Sequence, residues 1–389
     1  MADLDFAHLH LHSTYSLLDG AIRPSDLVKK VKELGMKSVA VTDHGNMFAT
    51  IEFYEAAKKA GVKPIIGYEA YVAPGSRFEK RNQEDLVDGR AYHLILLAKN
   101  KAGYKNLIKL ASRAYTEGLY YKPRIDYELL AQHSEGLVGL TACLAGEVNR
   151  LIYRQQMDKA KELSGRLNEM FGKGNFFLEI QNHGIPEQIE VAKGAAEISK
   201  ALDIPLVLTN DSHFLTRNDQ KAQEVMLRIQ MNKKITDPLE FGFNDEFYVK
   251  SPQEMFGLYP ELPQAFHNTL EIAEMCNFDF EFGAPLLPDF KVPPGMSLGD
   301  YLVGETVAGL SRRFDGNVPE KHRQRLQYEL DVIKNMGFEG ISWDQRRKEL
   351  VIVQEMWPVR VLVIGGLDRA VMGQGLGVTV REWQPDSWA

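Results

Sequence analysis

Cysteine is scarce in this 389-residue chain: Cys143 and Cys276 are the only two. Two cysteines cannot supply a disulfide framework, so the sequence points to a reducing, cytoplasmic setting rather than a cross-linked secreted scaffold. Long apolar runs are missing as well. No stretch approaches the roughly 18 consecutive apolar residues that a membrane span needs. The opening Met1-Ala2-Asp3-Leu4-Asp5-Phe6 lacks the basic-then-apolar pattern of a secretory signal. No membrane partner is expected. There is no excess of positive charge either. The formal net charge is −7, which argues against coating a polyanion through the overall field. A local basic channel stays open, because phosphate binding needs only a few placed Lys and Arg.

What the chain does have is histidine in a regular spacing. His8, His10 and His12 alternate near its start, with Asp19 just beyond. Alternate side chains of a strand share a face, so the spacing predicts three imidazoles on one side. Imidazole and carboxylate together suit zinc, manganese or iron. Short apolar runs then alternate with helix-period segments. Strands are predicted at 38–42, 64–67, 93–97, 137–140, 176–180 and 205–209. Helices are predicted at 25–34, opened by a Ser25 N-cap, and at 104–115, 157–171 and 186–201. The repetition of strand and helix predicts a parallel α/β barrel.

In such a barrel the working groups lie where strands end. His10, His12 and Asp19 follow the first strand, Asp43 and His44 the second, and Glu69 the third. His93 leads its strand, Cys143 follows the next, and Asn210, Asp211 and His213 come after the last. Singly, each has an ordinary structural reading. Asp43 could cap a helix, Glu69 could be a solvated loop residue, and Cys143 could be a small buried hydrophobe. Together they predict metal. One tetrahedral ion needs about four ligands. Nine candidates predict two or three ions that share ligands, the usual apparatus of phosphoester hydrolysis. Glu179, Asn182 and His183 follow another strand and suit either substrate contact or a structural role.

Further along, Pro285, Pro288, Pro293 and Pro294 mark 281–296 as a linker. Residues 297–341 read as helical, with Leu326, Leu330 and Ile333 on one face. Trp343, Trp357, Trp383 and Trp388, all the tryptophans of the chain, fall in an irregular and poorly ordered tail, 342–389. Candidates for nucleic-acid contact are Arg77, Lys80 and Arg81, and then Lys105, Lys109 and Arg113, which are interleaved with Tyr104, Tyr115, Tyr120 and Tyr121. Cations with aromatic platforms suit single strands. A solvated helix face over packed tyrosines fits the same residues.

Several motifs resemble one family. They are His-Leu-His-Ser with Leu-Leu-Asp-Gly, Val-Thr-Asp-His-Gly-Asn, Pro-Ile-Ile-Gly-Tyr-Glu-Ala-Tyr-Val, Tyr-His-Leu-Ile-Leu-Leu-Ala-Lys, Glu-Ile-Gln-Asn-His-Gly and Thr-Asn-Asp-Ser-His. In order and spacing they resemble the N-terminal part of bacterial DNA polymerase III alpha subunits, over residues 5 to about 341. That part is a PHP domain (polymerase and histidinol phosphatase). The resemblance implies a distorted seven-stranded (β/α) barrel over 1–280, followed by a short helical start of the polymerase region.

It also implies a three-metal centre of zinc, manganese or iron on His10, His12, Asp19, His44, Glu69, His93, Cys143, Asp211 and His213. His8 falls outside that set, and Asp43 is expected to orient His44 or a neighbour. An intact set implies a 3′–5′ exonuclease that proofreads. The nucleophile would be a metal-bound hydroxide, with no separate catalytic side chain. The partners would be single-stranded DNA or a primer 3′ end, and other subunits of a replicative polymerase. Two alternatives are a silent scaffold that supports a polymerase and a small-molecule phosphoesterase of the histidinol phosphatase type. Beyond residue 341 the family continues into a glycine-rich nucleotide segment and an Asp-x-Asp cluster. Neither follows here, so no polymerisation is expected of this chain.

Overall fold

Each short apolar run becomes a strand buried along nearly its whole length. The computed structural model describes residues 4–80, 91–237, 243–282 and 292–335, and the backbone of 342–344 and 349–351. The strands are β1 (Ser38–Val41), β2 (Lys63–Val72), β3 (Tyr92–Ala98), β4 (Arg124–Ile125), β5 (Leu137–Leu140), β6 (Phe176–Ile180) and β7 (Leu206–Leu208). Their order is β1-β2-β3-β5-β6-β7, with β4 on the end of β2. The segment 8–12 closes the curl. Its backbone meets β1 through His8 and Val39, and the chain after β7 through Leu11 and Ser212. Backbone hydrogen bonds hold it: Ala40 N–H to His8 O, Thr42 N–H to Leu11 O, His12 N–H to Ser212 O and Ser212 N–H to His10 O.

The barrel is not fully parallel, which corrects one sequence expectation. β3 runs antiparallel to both β2 and β5. The reversal explains why the start of β3 is informative: His93, its second residue, lies at the end where the other strands finish.

Two apolar layers hold the barrel. The inner one draws Ala40, Ile65, Ile95, Leu97, Val138, Leu140, Phe177 and Val207 from six strands, with Ala7 and Leu9 from the closing segment. Helix Pro263–Met275 plugs it with Ile272 and Ala273. The outer layer lies between the strands and the surrounding helices. Those helices begin with Pro24–Glu33, whose cap position is Arg23 and not the expected Ser25; Pro24 occupies the first turn instead. The helix expected at 104–115 spans Lys101–Thr116, capped by Asn100.

The chain divides into two compact units, 1–280 and 281–389. In the second, helices Leu298–Arg313 and Glu320–Asn335 pack through Leu302, Leu310, Leu326, Leu330 and Ile333. Backbone strands 342–344 and 349–351 pair antiparallel. Most of the proposed linker and tail lies outside the described residues. Among the described residues no helix is long and apolar enough to cross a membrane.

Candidate metal centre

Glu69 is the hub of the site. β2 is longer than expected, so Glu69 sits inside the strand, paired with Ile95, and is 1% exposed. Its Oε1 lies 3.0 Å from His93 Nδ1 and 3.3 Å from His10 Nε2. Its Oε2 lies 3.4 Å from His12 Nε2 and also contacts His44 Nδ1. Asp211 Oδ1 approaches His10 Nε2 at 3.0 Å and His12 Nε2 at 3.1 Å. Asp19 Oδ2 lies 2.9 Å from His44 Nε2 and 3.6 Å from His213 Nε2. Cys143 Sγ is 3.7 Å from His93 Nδ1. All nine residues singled out in the sequence therefore form one connected cluster.

Three groupings in this cluster have metal-site spacing: His10, His12 and Asp211; His12, His44 and His213; and His44, Glu69 and His93. The donors fit a divalent cation. His10 Nε2, His12 Nε2, His213 Nε2, His44 Nδ1, both oxygens of Glu69 and Asp211 Oδ1 are buried without a hydrogen-bond partner. Buried polar atoms are normally satisfied, so a set of orphans pointing inward marks a place for a cation.

The opposite nitrogens explain the orientation. His10 Nδ1 is 2.7 Å from Glu179 Oε1. His213 Nδ1 is 2.8 Å from the Asp211 carbonyl oxygen. Both partners can only accept, so Nδ1 carries a proton and Nε2 is the nitrogen left to take a cation. Asp43 takes the hydroxyl proton of Ser16, leaving Ser16 Oγ to accept from His12 Nδ1 at 3.1 Å and from the His44 N–H. Asp43 thus acts on His12 and His44 through Ser16, as outer partners of metal ligands do.

The charges respond to one another. Burial disfavours a charged His10, but the carboxylates of Asp211, Glu179 and Glu69 outweigh it and hold its pKa well above the usual value. Burial likewise opposes a charged His44, and Glu69 and Asp19 overcome it, raising its pKa to about 10. Burial, with His44 and His213 nearby, pushes His12 down to about 3. Glu69 and Asp211 are held well below the carboxylate range despite burial, by His44, His93 and His10 in one case and by His10 and His213 in the other. Burial raises the Cys143 thiol, with Asp211 and Glu69 adding to it.

Left-handed backbone recurs at the site. Leu18 (φ 59°), Ala142 (φ 62°) and Asp211 (φ 42°) are adjacent to Asp19, adjacent to Cys143, and a cluster member, respectively. Such conformations cost about 1–3 kcal/mol each and persist only where their surroundings impose them. Asn149 Nδ2 imposes one, donating to the carbonyls of Ala142 (2.8 Å) and Cys143 (3.0 Å).

Some expectations are corrected. His8 does not share a face with His10 and His12. The chain bends at His10, and His8 Nε2 turns away to the Lys250 carbonyl at 2.9 Å. Arg77 is buried, with Nε 2.7 Å from Glu117 Oε2 and Nη1 2.9 Å from Asp126 Oδ1. Two carboxylates already neutralise it, so it is not offered to a phosphate. Tyr104 packs on Phe278 and Phe280 and is not a base platform. Lys80 is exposed, and Arg81 lies outside the described residues. Lys105, Lys109 and Arg113 are exposed in one row of the helix Lys101–Thr116. His183 is structural: it stacks on Phe247 and bonds the Asn210 carbonyl oxygen and Gln188. Glu179 is the group whose role the sequence left open. Its signal was a carboxylate inside the apolar run Phe176-Phe177-Leu178-Glu179-Ile180.

Residues 8–183 match the family model described as PHP domain. The chain is also similar to DNA polymerase III subunit alpha of Borreliella burgdorferi, 47% identical over 87% of this chain. The same subunit of Treponema pallidum is 45% identical over 88%, and that of Thermus aquaticus 43% over 89%. The chain spans about 30% of the length of each relative. The resemblance to the N-terminal part of that subunit is thereby confirmed. Residues 315–383 match a second family model, described as SdiA-regulated. Among solved structures, a two-domain Bacteroides vulgatus protein containing a predicted PHP-like metal-dependent phosphoesterase aligns with a TM-score of 0.29. It is 13% identical over 67% of this chain and 63% of its own.

Proposed function

We propose that the nine-residue cluster holds a set of divalent cations and hydrolyses phosphodiester bonds at the 3′ end of DNA, as a 3′–5′ exonuclease beside a replicative polymerase. The observation that carries this reading is the convergence of orphaned buried donors from His10, His12, His44, Glu69, Asp211 and His213. Cys143, His93 and Asp19 complete the set. Imidazole, carboxylate and one thiolate suit zinc, manganese or iron, and three ions match the number of groupings. Clustered cations, when bound, supply a nucleophile at neutral pH and neutralise charge on the reacting phosphate.

The chain's own residues do the placing. Glu69 reaches four imidazoles with its two oxygens and sets their spacing. Glu179, the Asp211 carbonyl and Ser16 keep the protons of His10, His213 and His12 on Nδ1, facing away from the centre. Tyr71, with its ring 5.2 Å from His93 and 5.8 Å from His44, walls one side. Other subunits of a replicative polymerase are the proposed partners, on the strength of the named relatives.

The test is metal analysis of the purified protein together with hydrolysis of a 3′-mismatched primer and of a phosphate monoester. The protein should hold divalent metal and prefer the primer. Asp19→Asn and His44→Ala should each cost about a hundredfold or more, at least the scale of disturbing an outer partner of a ligand. A metal-free protein, or variants as active as the parent, would refute the reading.

A further inference from the structure

Beside the centre, a tight turn presents an aromatic and a cation together. Tyr120 and Lys122 bond each other's backbone in both directions, at 3.1 and 2.7 Å, which puts Tyr121 at the tip. Tyr121 has φ 58° and is 65% exposed. A bulky residue in left-handed backbone is an outlier in any fold. An exposed aromatic there gains little burial in return, and strain of this kind clusters at ligand clamps.

The turn is held rigidly. Arg124, 1% exposed, donates to the carbonyls of Gly118, Arg77 and Glu79. β4 fastens its far side to β2, with Arg124 opposite Tyr71. Pro123 presses on the backbone just after His44: a Cβ on Gly45 would lie 2.9 Å from Pro123 Cγ. Lys122 Nζ lies 5.1 Å from the Tyr71 ring centroid, and that same ring faces His44 and His93. Lys122 is thus one aromatic ring away from the metal cluster, while the row Lys105, Lys109 and Arg113 lies on a helix face.

We propose that the turn 118–123 is a clamp for single-stranded nucleic acid, resting on the function proposed above. Lys122 takes a backbone phosphate next to the one at the cluster. Tyr121 stacks on an unpaired base, which fits any base and so suits a strand of any sequence. Ribbon-like single strands offer both groups at once; a small phosphate monoester offers neither a second phosphate nor a base to stack.

Binding of a fluorescein-labelled oligothymidylate, followed by anisotropy in EDTA at several salt concentrations, tests this without hydrolysis. Lys122→Gln keeps a stem over Tyr71 and should lower the slope of log affinity against log salt by about 0.7, one single-strand phosphate contact. Tyr121→Gly keeps the fold, because glycine adopts φ 58° without strain. It should weaken binding by about tenfold, within the range for one stacked base. Thermal melting checks that both variants are folded. Folded variants that bind like the parent, with an unchanged salt slope, overturn the clamp even if the parent hydrolyses DNA. A parent that binds through these two residues but releases no nucleotide when loaded with metal leaves the clamp standing and removes the hydrolase reading.

Discussion

Glu179 decides which nitrogen His10 can offer. Its Oε1 collects His10 Nδ1, Gln181 Nε2 and the Thr209 hydroxyl, all buried. A carboxylate there can only accept, so the imidazole proton stays on that side. Glu179→Gln keeps the shape but weakens this acceptor and can place an amide donor against Nδ1. Metal affinity should fall about 10–100-fold, the usual range for an outer partner of a ligating histidine. Titration of manganese or zinc against a competing chelator measures it, and equal affinity in variant and parent would remove the role. Residue types were the most legible part of this site. All nine clustered side chains were picked out because His, Asp, Glu and Cys recur where strands end. Of the partners that aim them, Asp43 is legible and Glu179 stands out as a candidate, but Ser16, Asn149 and the Asp211 carbonyl look like any other polar groups until the chain is folded.

Elements were legible in kind and less so in direction. Apolar runs gave the strands because a strand buried on both faces needs an unbroken run. The same run reads alike in either direction, so antiparallel β3 stayed hidden, as did the bend at His10 that separates His8 from its neighbours. The extension of β2 to Val72 was missed because Tyr68 to Val72 mixes aromatic, acidic and small residues. The loop 13–20 shows how tightly these elements are specified. It folds back so that the N–H groups of Asp19 and Gly20 reach the Ser16 carbonyl oxygen, and Ala21 N–H reaches His213 O at 2.7 Å. A Cβ on Gly20 would lie 2.2 Å from the Ser13 carbonyl oxygen. Gly20→Ala must therefore push the loop outward and take Asp19 with it. We expect a loss of about 2 kcal/mol, the middle of the range for overpacking, and weaker metal binding. Chemical denaturation and metal titration check the two effects; a variant as stable as the parent would mean the loop relaxes freely.

For the whole molecule, the cluster is a store of opposed charge. Five imidazoles and the carboxylates of Asp19, Glu69, Asp211 and Glu179 lie within a largely buried volume. Without a cation, protons on His10 and His44 offset part of the negative charge. A bound cation replaces them, so loading should release protons and stabilise the fold. A metal held at a hundred times its Kd adds about 2.7 kcal/mol. Calorimetry with and without EDTA should show the melting temperature drop on chelation, and an unchanged value would separate the site from stability.

The closing segment 8–12 ties this balance to the order in which the chain is made. Its partners are Val39, close behind it, and Ser212, two hundred residues later. On the ribosome, His10 and His12 emerge long before Ser212, whose backbone groups bond theirs. The two halves of one site are made about two hundred residues apart, and only when they meet are the ring of strands and its metal cluster complete.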